Sequence, residues 1–243
     1  MVYDFIHYPP LTQDITAERQ PKLVILLHGY AVNGFVMSKM AHIIQDTIPQ
    51  IEVMSLNADE QAAHPRKRLV PKTLYMPAKL MNKDNTLTEA AQRQWFSVYG
   101  AFPTWGPRLY HAALKMKRFI EAEANQRGIA LSDIALCGFS QGGALTLYTS
   151  LIMAKPLGAV IGHSAPFLGF SKKITAVSPT LFIYGCPDTS IADHYFERSV
   201  EELSKINKEA VFIELEGLGH RMSRESCQIT ADFIQENLFK TPN

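Results

Sequence analysis

The sequence has few cysteines and almost no net charge. Only Cys137, Cys186 and Cys227 occur among its 243 residues, an odd number at wide spacing. This pattern fits neither a disulfide framework nor a zinc cluster, and it favours a reducing compartment. The 24 Lys and Arg residues nearly balance the 23 Asp and Glu residues, which leaves a formal charge of +1. Without a basic excess, we expect no nucleic-acid partner, because that binding depends on neutralising phosphates.

Long apolar runs are also missing. The most apolar stretch, residues 144–154, contains Thr, Tyr and Ser and is well short of the roughly 18 apolar residues that a spanning helix needs. We therefore expect no transmembrane segment. The N-terminal MVYDFIHYPP lacks a basic region followed by an apolar core, so it is not typical of a secretory signal. These absences predict a cytoplasmic protein.

Short apolar blocks alternate with helical patterns along the chain. The blocks are typical of strands buried on both faces, and the helical patterns space apolar residues three or four positions apart. Strands are expected at 23–27, 134–137, 159–161, 181–184 and 211–215, and helices within 36–44, 109–120, 144–154, 196–203 and 227–238. This alternation predicts an α/β fold with a mostly parallel central sheet and helices on both faces. With no repeat or linker, residues 1–243 are expected to form a single domain.

Residues 57–86 interrupt this pattern as a long irregular excursion. The segment contains Pro65, Pro71 and Pro77 and a basic cluster, and it shows no clear periodicity. The cluster consists of Arg66, Lys67 and Arg68. Two interpretations stay open: a lid or basic face that makes transient contact with an anionic membrane surface, and a solvated excursion.

A candidate nucleophile lies in a strand, a sharp turn and a helix around Ser140. The turn reads Gly138-Phe139-Ser140-Gln141-Gly142, a G-x-S-x-G pattern. Glycine suits the positions two before and two after the serine because such an elbow leaves no room for a Cβ. The N-terminus of the following helix favours negative charge, so the backbone N–H of Gln141 is a candidate donor to an oxyanion.

A serine nucleophile requires a histidine base and an acid that orients the base. His220 follows a predicted strand in a Gly-Leu-Gly-His loop, and Asp188 follows another through Gly-Cys-Pro. The two sit after Ser140 in the order Ser, Asp, His. His163 and His64 are weaker alternatives for the base, and Asp193 is the alternative acid. The other histidines are expected to be surface or core residues: His7, His42, His111 and His194. Asp133 is expected in a turn at the opposite end of the sheet.

The loop after the first predicted strand supplies a second candidate oxyanion donor. There the sequence Leu-Leu-His28-Gly29-Tyr30 ends a strand, and the backbone N–H of Tyr30 is the expected donor. His28 precedes the nucleophile in the chain, so we interpret it as a residue that shapes this loop rather than as the base.

In these motifs the chain resembles the α/β-hydrolase fold and, more narrowly, the phospholipase/carboxylesterase family that includes the acyl-protein thioesterases. The motifs LLHGYAVNG, QWFSVYG, GFSQGGALTLY, GCPDTSI and GLGHRMS occur in the family's order. The resemblance implies a serine hydrolase of carboxylic esters or thioesters that forms an acyl-enzyme and needs no metal or cofactor. It places the catalytic triad on Ser140, Asp188 and His220. The chain departs from the family at Val32 and Ser97, where the family usually has Asp.

The substrate is expected to be a small-molecule, lipid or protein acyl ester or thioester. Aromatic residues concentrate at Trp95, Phe96, Tyr99, Phe102 and Trp105, and they form either an apolar binding wall or ordinary core. As a wall, Trp95 and Phe96 would bind the acyl group together with Met76 and Leu80. The alternative function is a non-catalytic relative that holds an acyl chain or a partner. A peptidase or acyltransferase on the same fold is a third hypothesis. The sequence predicts no oligomeric state.

Overall fold

A seven-stranded sheet occupies the centre of the protein. The computed structural model describes residues 3–12, 21–66, 76–100, 102–167 and 169–239. The strands of this sheet are β1 (Phe5–Tyr8), β2 (Leu23–Leu27), β3 (Glu52–Leu56), β6 (Ile134–Phe139), β7 (Ala159–His163), β8 (Thr180–Cys186) and β9 (Val211–Glu216), in the spatial order β1-β3-β2-β6-β7-β8-β9. Neighbouring strands pair in parallel, except for the antiparallel pair β1 and β3. This confirms the predicted α/β fold with a mostly parallel sheet.

Helices cover both faces of the sheet. They are α1 (Ser38–Thr47), α2 (Gly106–Arg127), α3 (Gln141–Ser150), α4 (Asp193–Ile206) and α5 (Arg224–Leu238). Successive residues of a strand point to opposite faces, so Leu136 packs into the layer of α2, α3 and α4, whereas Cys137 packs into the layer of α1 and α5. The apolar residues of the central strands are thereby buried on both sides, as the continuous apolar blocks predicted.

The C-terminal ends of three parallel strands come together around the predicted elbow. β6 lies between β2 and β7, and Leu27 at the end of β2 is in register with Gly138 near the end of β6. The turns after β2, β6 and β7 therefore emerge side by side. This edge of the sheet is where parallel α/β folds place their chemistry.

Two local expectations need correction, and one strand was not predicted. The strand at 211–215 was expected to be buried on both faces, but β9 is the outer strand of the sheet and Val211 is 42% exposed. The helix expected over 144–154 is α3, which begins at Gln141 and ends at Ser150. β1 was not predicted, because its residues alternate between exposed and half-buried positions instead of forming an apolar run.

The excursion at 57–86 contains more regular structure than the sequence predicted. Within it, the short strand β4 (Glu60–Gln61) forms an antiparallel ribbon with β5 (Arg93–Gln94), which lies after the excursion, and residues Ala78–Leu80 form a 3-10 turn. Arg66 of the basic cluster lies over the ring of Tyr30, 5.5 Å from its centroid. Lys67 and Arg68 lie outside the described residues, so the membrane-contact interpretation stays a prediction.

No helix among the described residues combines the length and apolarity required to cross a bilayer.

Candidate active site

Ser140 occupies a strained turn between β6 and α3. Its backbone has φ 54° and ψ −116°, in a region that favours glycine, and its N–H donates to the carbonyl of His163 at 2.8 Å. The neighbouring glycines are required by space. A Cβ on Gly138 would lie 2.2 Å from the carbonyl oxygen of Gly142, and one on Gly142 would lie 2.3 Å from that of Leu27. The glycine requirement inferred from the G-x-S-x-G pattern therefore has a direct steric cause.

The structure brings Ser140, His220 and Asp188 into one hydrogen-bonded chain. Nε2 of His220 lies 3.0 Å from Oγ of Ser140, and Nδ1 lies 2.7 Å from Oδ2 of Asp188. The carboxylate accepts, so Nδ1 carries the proton and Nε2 is left to accept from the serine hydroxyl. The Asp188 side chain is fully buried, and its second oxygen accepts from the N–H groups of Ser190 at 2.7 Å and Ile191 at 2.9 Å.

Two packed loops carry the acid and the base. The loop after β8 holds Asp188, and the loop after β9 holds His220. The N–H of Gly217 donates to the carbonyl of Cys186 at 2.6 Å. Gly217 and Gly219 have φ values of 71° and 65°, in the left-handed region that glycine adopts at low cost. The alternative acid, Asp193, begins α4 and accepts instead from the N–H of Asp188 at 3.3 Å.

Within the described residues, His220 is the histidine that hydrogen-bonds Ser140. His28 is fully buried between Gly29, whose carbonyl accepts from Nδ1 at 2.7 Å, and Ala58, whose N–H donates to Nε2 at 3.1 Å. Burial lowers the pKa of His28 to about 4. A neutral imidazole with both nitrogens occupied fits the loop-shaping role inferred from the sequence.

His163, an alternative base, lies behind the site rather than in it. Its ring packs on Phe139, which also contacts the His220 ring, and its Nδ1 is 3.1 Å from Oγ of Ser164. Burial, together with the nearby charge of His220, lowers the pKa of His163 to about 3. The imidazole is therefore held neutral. His64, the other alternative, is exposed, and its backbone hydrogen-bonds the Tyr30 hydroxyl.

The two predicted oxyanion donors flank Ser140. Gln141 is the first residue of α3, where N–H groups have no acceptor within the helix. The turn after β2 lies against the elbow, because a Cβ on Gly29 would be 3.4 Å from that of Ser140. This proximity puts the backbone of Tyr30 in the turn beside the nucleophile. The oxyanion role of both residues stays a prediction.

The side chain of Gln141 ties the elbow to the aromatic segment. Its Oε1 accepts from the N–H of Trp95 at 3.0 Å, and its Nε2 donates to the carbonyl of Phe96 at 2.7 Å. Both polar ends of this buried amide are thereby satisfied.

The four predicted substrate-binding residues do not form one wall. Trp95 and Phe96 are 4% and 2% exposed and belong to the core, where Nε1 of Trp95 donates to the carbonyl of His28 at 2.7 Å. Met76 and Leu80 belong to a separate small cluster. Trp95 and Phe96 also line a smaller pocket together with Ser97 and Pro107, so their role in substrate binding stays a prediction. The side chain of Phe102 lies outside the described residues, whereas Tyr99 is exposed.

A cavity of about 600 Å³ instead adjoins α3 on the side of α2 and α4. Its lining includes Trp105, Tyr110, Ala144, Tyr148 and Phe170. The sequence offered two signals for it: Trp105 belongs to the aromatic group interpreted as a possible apolar wall, and Ala144 and Tyr148 follow Ser140 at helical spacing, four and eight residues later. The loop residues could not be assigned to a wall before the loop after β7 was placed.

Among the described residues, no group of three or more His, Cys, Asp or Glu side chains could hold a metal ion.

The architecture and the elbow define an α/β-hydrolase fold, and known structures share it. The crystal structure of esterase PE8 matches with a TM-score of 0.79 and 21% identity over 98% of this chain and 100% of that chain. Arabidopsis thaliana SOBER1 matches with a TM-score of 0.68 and 19% identity over 90% and 99%. The model of the phospholipase/carboxylesterase family matches residues 14–238, so the chain belongs to this family.

Curated proteins similar to this chain are named as thioesterases and esterases. Acyl-protein thioesterase 1 homolog 1 of Dictyostelium discoideum is 32% identical over 131 residues, which cover 51% of this chain and 58% of that protein. Esterase YpfH of Escherichia coli is 24% identical over 224 residues, 90% of this chain and 84% of that protein. The match with a probable SOBER1-like carboxylesterase of Arabidopsis thaliana covers 61% of that relative. Two of these three alignments thus span less than two thirds of the relative's length.

Proposed function

We propose that the protein is a serine hydrolase that cleaves carboxylic esters or thioesters through Ser140, His220 and Asp188. One observation carries the proposal: the hydrogen-bonded chain from Oγ of Ser140 through His220 to the buried carboxylate of Asp188. Membership of the phospholipase/carboxylesterase family supports the same chemistry. The relatives are named as thioesterase and esterases, and both bond types present a carbonyl to the nucleophile.

The first half of the reaction acylates the serine. Nε2 of His220 takes the hydroxyl proton while Oγ of Ser140 attacks the carbonyl carbon, and the carbonyl oxygen gains the negative charge. The N–H groups of Gln141 and Tyr30 donate hydrogen bonds to this oxygen. The N-terminus of α3 also stabilises its negative charge. His220 then gives its proton to the departing oxygen or sulfur, and the carbon–heteroatom bond breaks to leave an acyl-enzyme.

The second half releases the acid product. Water loses a proton to His220 and attacks the acyl carbon, and the imidazole returns this proton to Oγ as the ester bond to Ser140 breaks. Asp188 orients the ring throughout and stabilises its protonated form. Because Ser190 and Ile191 hold the other carboxylate oxygen, the acid is fixed before substrate arrives. These steps require no metal or organic cofactor.

Replacement of the nucleophile tests the proposal. Ser140→Ala should lower kcat for a p-nitrophenyl ester by about 10⁴ or more and abolish labelling by a fluorophosphonate probe. Ser132→Ala is the matched control, because Ser132 lies in the turn before β6, at the opposite end of that strand. It should retain turnover and labelling.

More than a tenth of wild-type turnover in Ser140→Ala would overturn the assignment. A wild-type protein that neither turns over esters nor reacts with the probe would favour the alternative of a non-catalytic binding relative.

A further inference from the structure

The cavity beside α3 starts close to the nucleophile and runs away from it. Ala144 and Tyr148 line it and follow Ser140 by one and two helical turns, roughly 6 and 12 Å along the helix axis. The other walls come from the start of α2, residues 166 and 169–172 after β7, and Arg198 of α4. This cavity of about 600 Å³, which is partly open to solvent, therefore begins about one helical turn from Ser140.

Aromatic rings form fixed walls in this cavity. The rings of Tyr148 and Phe170 lie 5.5 Å apart, and those of Tyr110 and Phe170 lie 6.5 Å apart. The Tyr148 hydroxyl donates to the carbonyl of Gly169 at 2.7 Å, which holds the ring against the loop. These walls suit an apolar arm, because each buried methylene contributes about 0.8 kcal/mol.

Two positive charges also line the cavity. They belong to Lys172, whose Nζ lies 5.5 Å from the ring centroid of Tyr110, and to Arg198. Among the described residues, neither cation has a carboxylate within ion-pair distance. Three acids lie near Arg198 on α4: Glu197 directly precedes it, and Glu201 and Glu202 follow and pair with Lys205 at 2.8 and 2.9 Å. The carboxylate of Glu202 also borders Gly169 of the cavity wall. A mainly apolar cavity lined by two cations that form no ion pair among the described residues is complementary to a ligand with an apolar arm and an anionic end.

The position of His220 indicates which part of a substrate occupies the cavity beside α3. The His220 ring contacts Phe139, whose side chain packs with the layer of α1 and α5. The cavity lies on the opposite side of the sheet, with α2, α3 and α4. A leaving group must be near Nε2 of His220 to receive its proton, so we place it on the His220 side. The acyl arm is then the part of the substrate that can occupy the cavity.

We infer that the cavity binds the acyl arm of the substrate and that Lys172 and Arg198 select an arm that ends in a carboxylate. This rests on the proposed function, and it names the substrate class: half-esters or half-thioesters of dicarboxylic acids with an apolar middle. Both cations are exposed, so solvent screens their effect and makes it sensitive to salt.

A matched pair of substrates tests the inference. The probes are p-nitrophenyl hydrogen suberate and p-nitrophenyl octanoate, which share the acyl length and leaving group, with each rate corrected for that ester's alkaline hydrolysis. Wild-type kcat/KM should favour the carboxylate-ended ester by about fivefold or more at low salt, and the preference should shrink between 0.05 and 0.5 M NaCl.

Matched variants then test whether the charges of Lys172 and Arg198 cause this preference. The double variant Lys172→Gln, Arg198→Gln should lose the preference. Lys173→Gln removes the same charge from the adjacent residue, which does not line the cavity, and should keep the preference. Thermal melting monitors the fold of each variant.

An equal rate for the two esters in the wild type, or a preference that survives in the double variant, would overturn the inference. These outcomes differ from failure of the proposed function, in which Ser140→Ala would still hydrolyse both esters. An enzyme that uses Ser140 but ignores the carboxylate would refute the substrate class alone.

Discussion

In the proposed mechanism, Asp188 acts on the reaction through the tautomer of His220. Its carboxylate accepts from Nδ1 at 2.7 Å, which forces the proton onto that nitrogen and leaves Nε2 as the acceptor. The backbone donors of Ser190 and Ile191 hold the carboxylate in place. In the proposed mechanism, the acid thus sets which ring nitrogen receives the serine proton.

Asp188→Asn should preserve the fold but lower kcat by about 10⁴, because an amide can donate to Nδ1 and favour the wrong tautomer. Steady-state turnover of a p-nitrophenyl ester measures this loss. Asp193→Asn is the control, since Asp193 does not contact the imidazole, and it should stay within severalfold of wild type. Equal losses in the two variants would contradict the role of Asp188.

The two buried histidines predict that stability falls in mild acid. Their native pKa values of about 4 for His28 and about 3 for His163 lie below the value of about 6.5 expected in the unfolded chain. Below pH 6.5 the unfolded chain therefore binds more protons than the native protein, and the free energy of unfolding decreases as pH falls. Each group contributes up to about 1.4 kcal/mol per pH unit in this range.

Urea unfolding at several pH values between 7 and 4.5 measures this slope. His163→Gln should show a slope shallower by about 1 kcal/mol per pH unit, because the variant has lost one of the two titrating groups. An unchanged slope would mean that other groups cause the acid sensitivity.

At the scale of elements, the elbow depends on close contact between β2 and α3. A Cβ on Gly142 would meet the carbonyl oxygens of Leu27 and His28 at 2.3 and 2.5 Å, which are backbone atoms that cannot rotate away. Gly142→Ala should therefore destabilise the protein by roughly 3 kcal/mol or more.

Gly106→Ala is the matched control, because nothing lies within 4 Å of a Cβ there and no left-handed φ is required. Its free energy of unfolding should stay within about 0.5 kcal/mol of wild type. Urea denaturation compares the two variants, and equal effects would show that the contact at Gly142 relaxes.

The sequence was most informative for elements with a local signal. Continuous apolar blocks located β2, β6, β7 and β8, and spaced apolar residues located the helices. β1 was missed because its pairing with β3 depends on residues distant in the chain. Motif order and strand ends predicted that Ser140, His220 and Asp188 lie together, as their hydrogen bonds show, and their catalytic role stays a proposal. The cavity lining could not be predicted, because it required the loop after β7 to be placed against α2 and α3.

At the scale of the whole molecule, burial is greatest in the middle of the sheet and smallest at its edges. β2 and β7 are buried throughout, whereas β1 and β9 have exposed positions. The single-domain organisation and the cytoplasmic location remain predictions.

Hydrogen exchange should follow this gradient. Amides of β2 and β7 should exchange at least about a hundredfold more slowly than those of β1 and β9, because edge strands open without global unfolding. Exchange measured by mass spectrometry on peptides that cover each strand checks this expectation. Uniform protection across the sheet would contradict it.

β9 joins the sheet through β8 alone, yet the loop that follows it carries the base of the proposed triad. Recovery of esterase turnover after dilution from denaturant therefore cannot precede attachment of this outermost strand. Spectroscopic signals from the sheet centre can return while the protein is still inactive, so the return of turnover reports that this outer strand has attached.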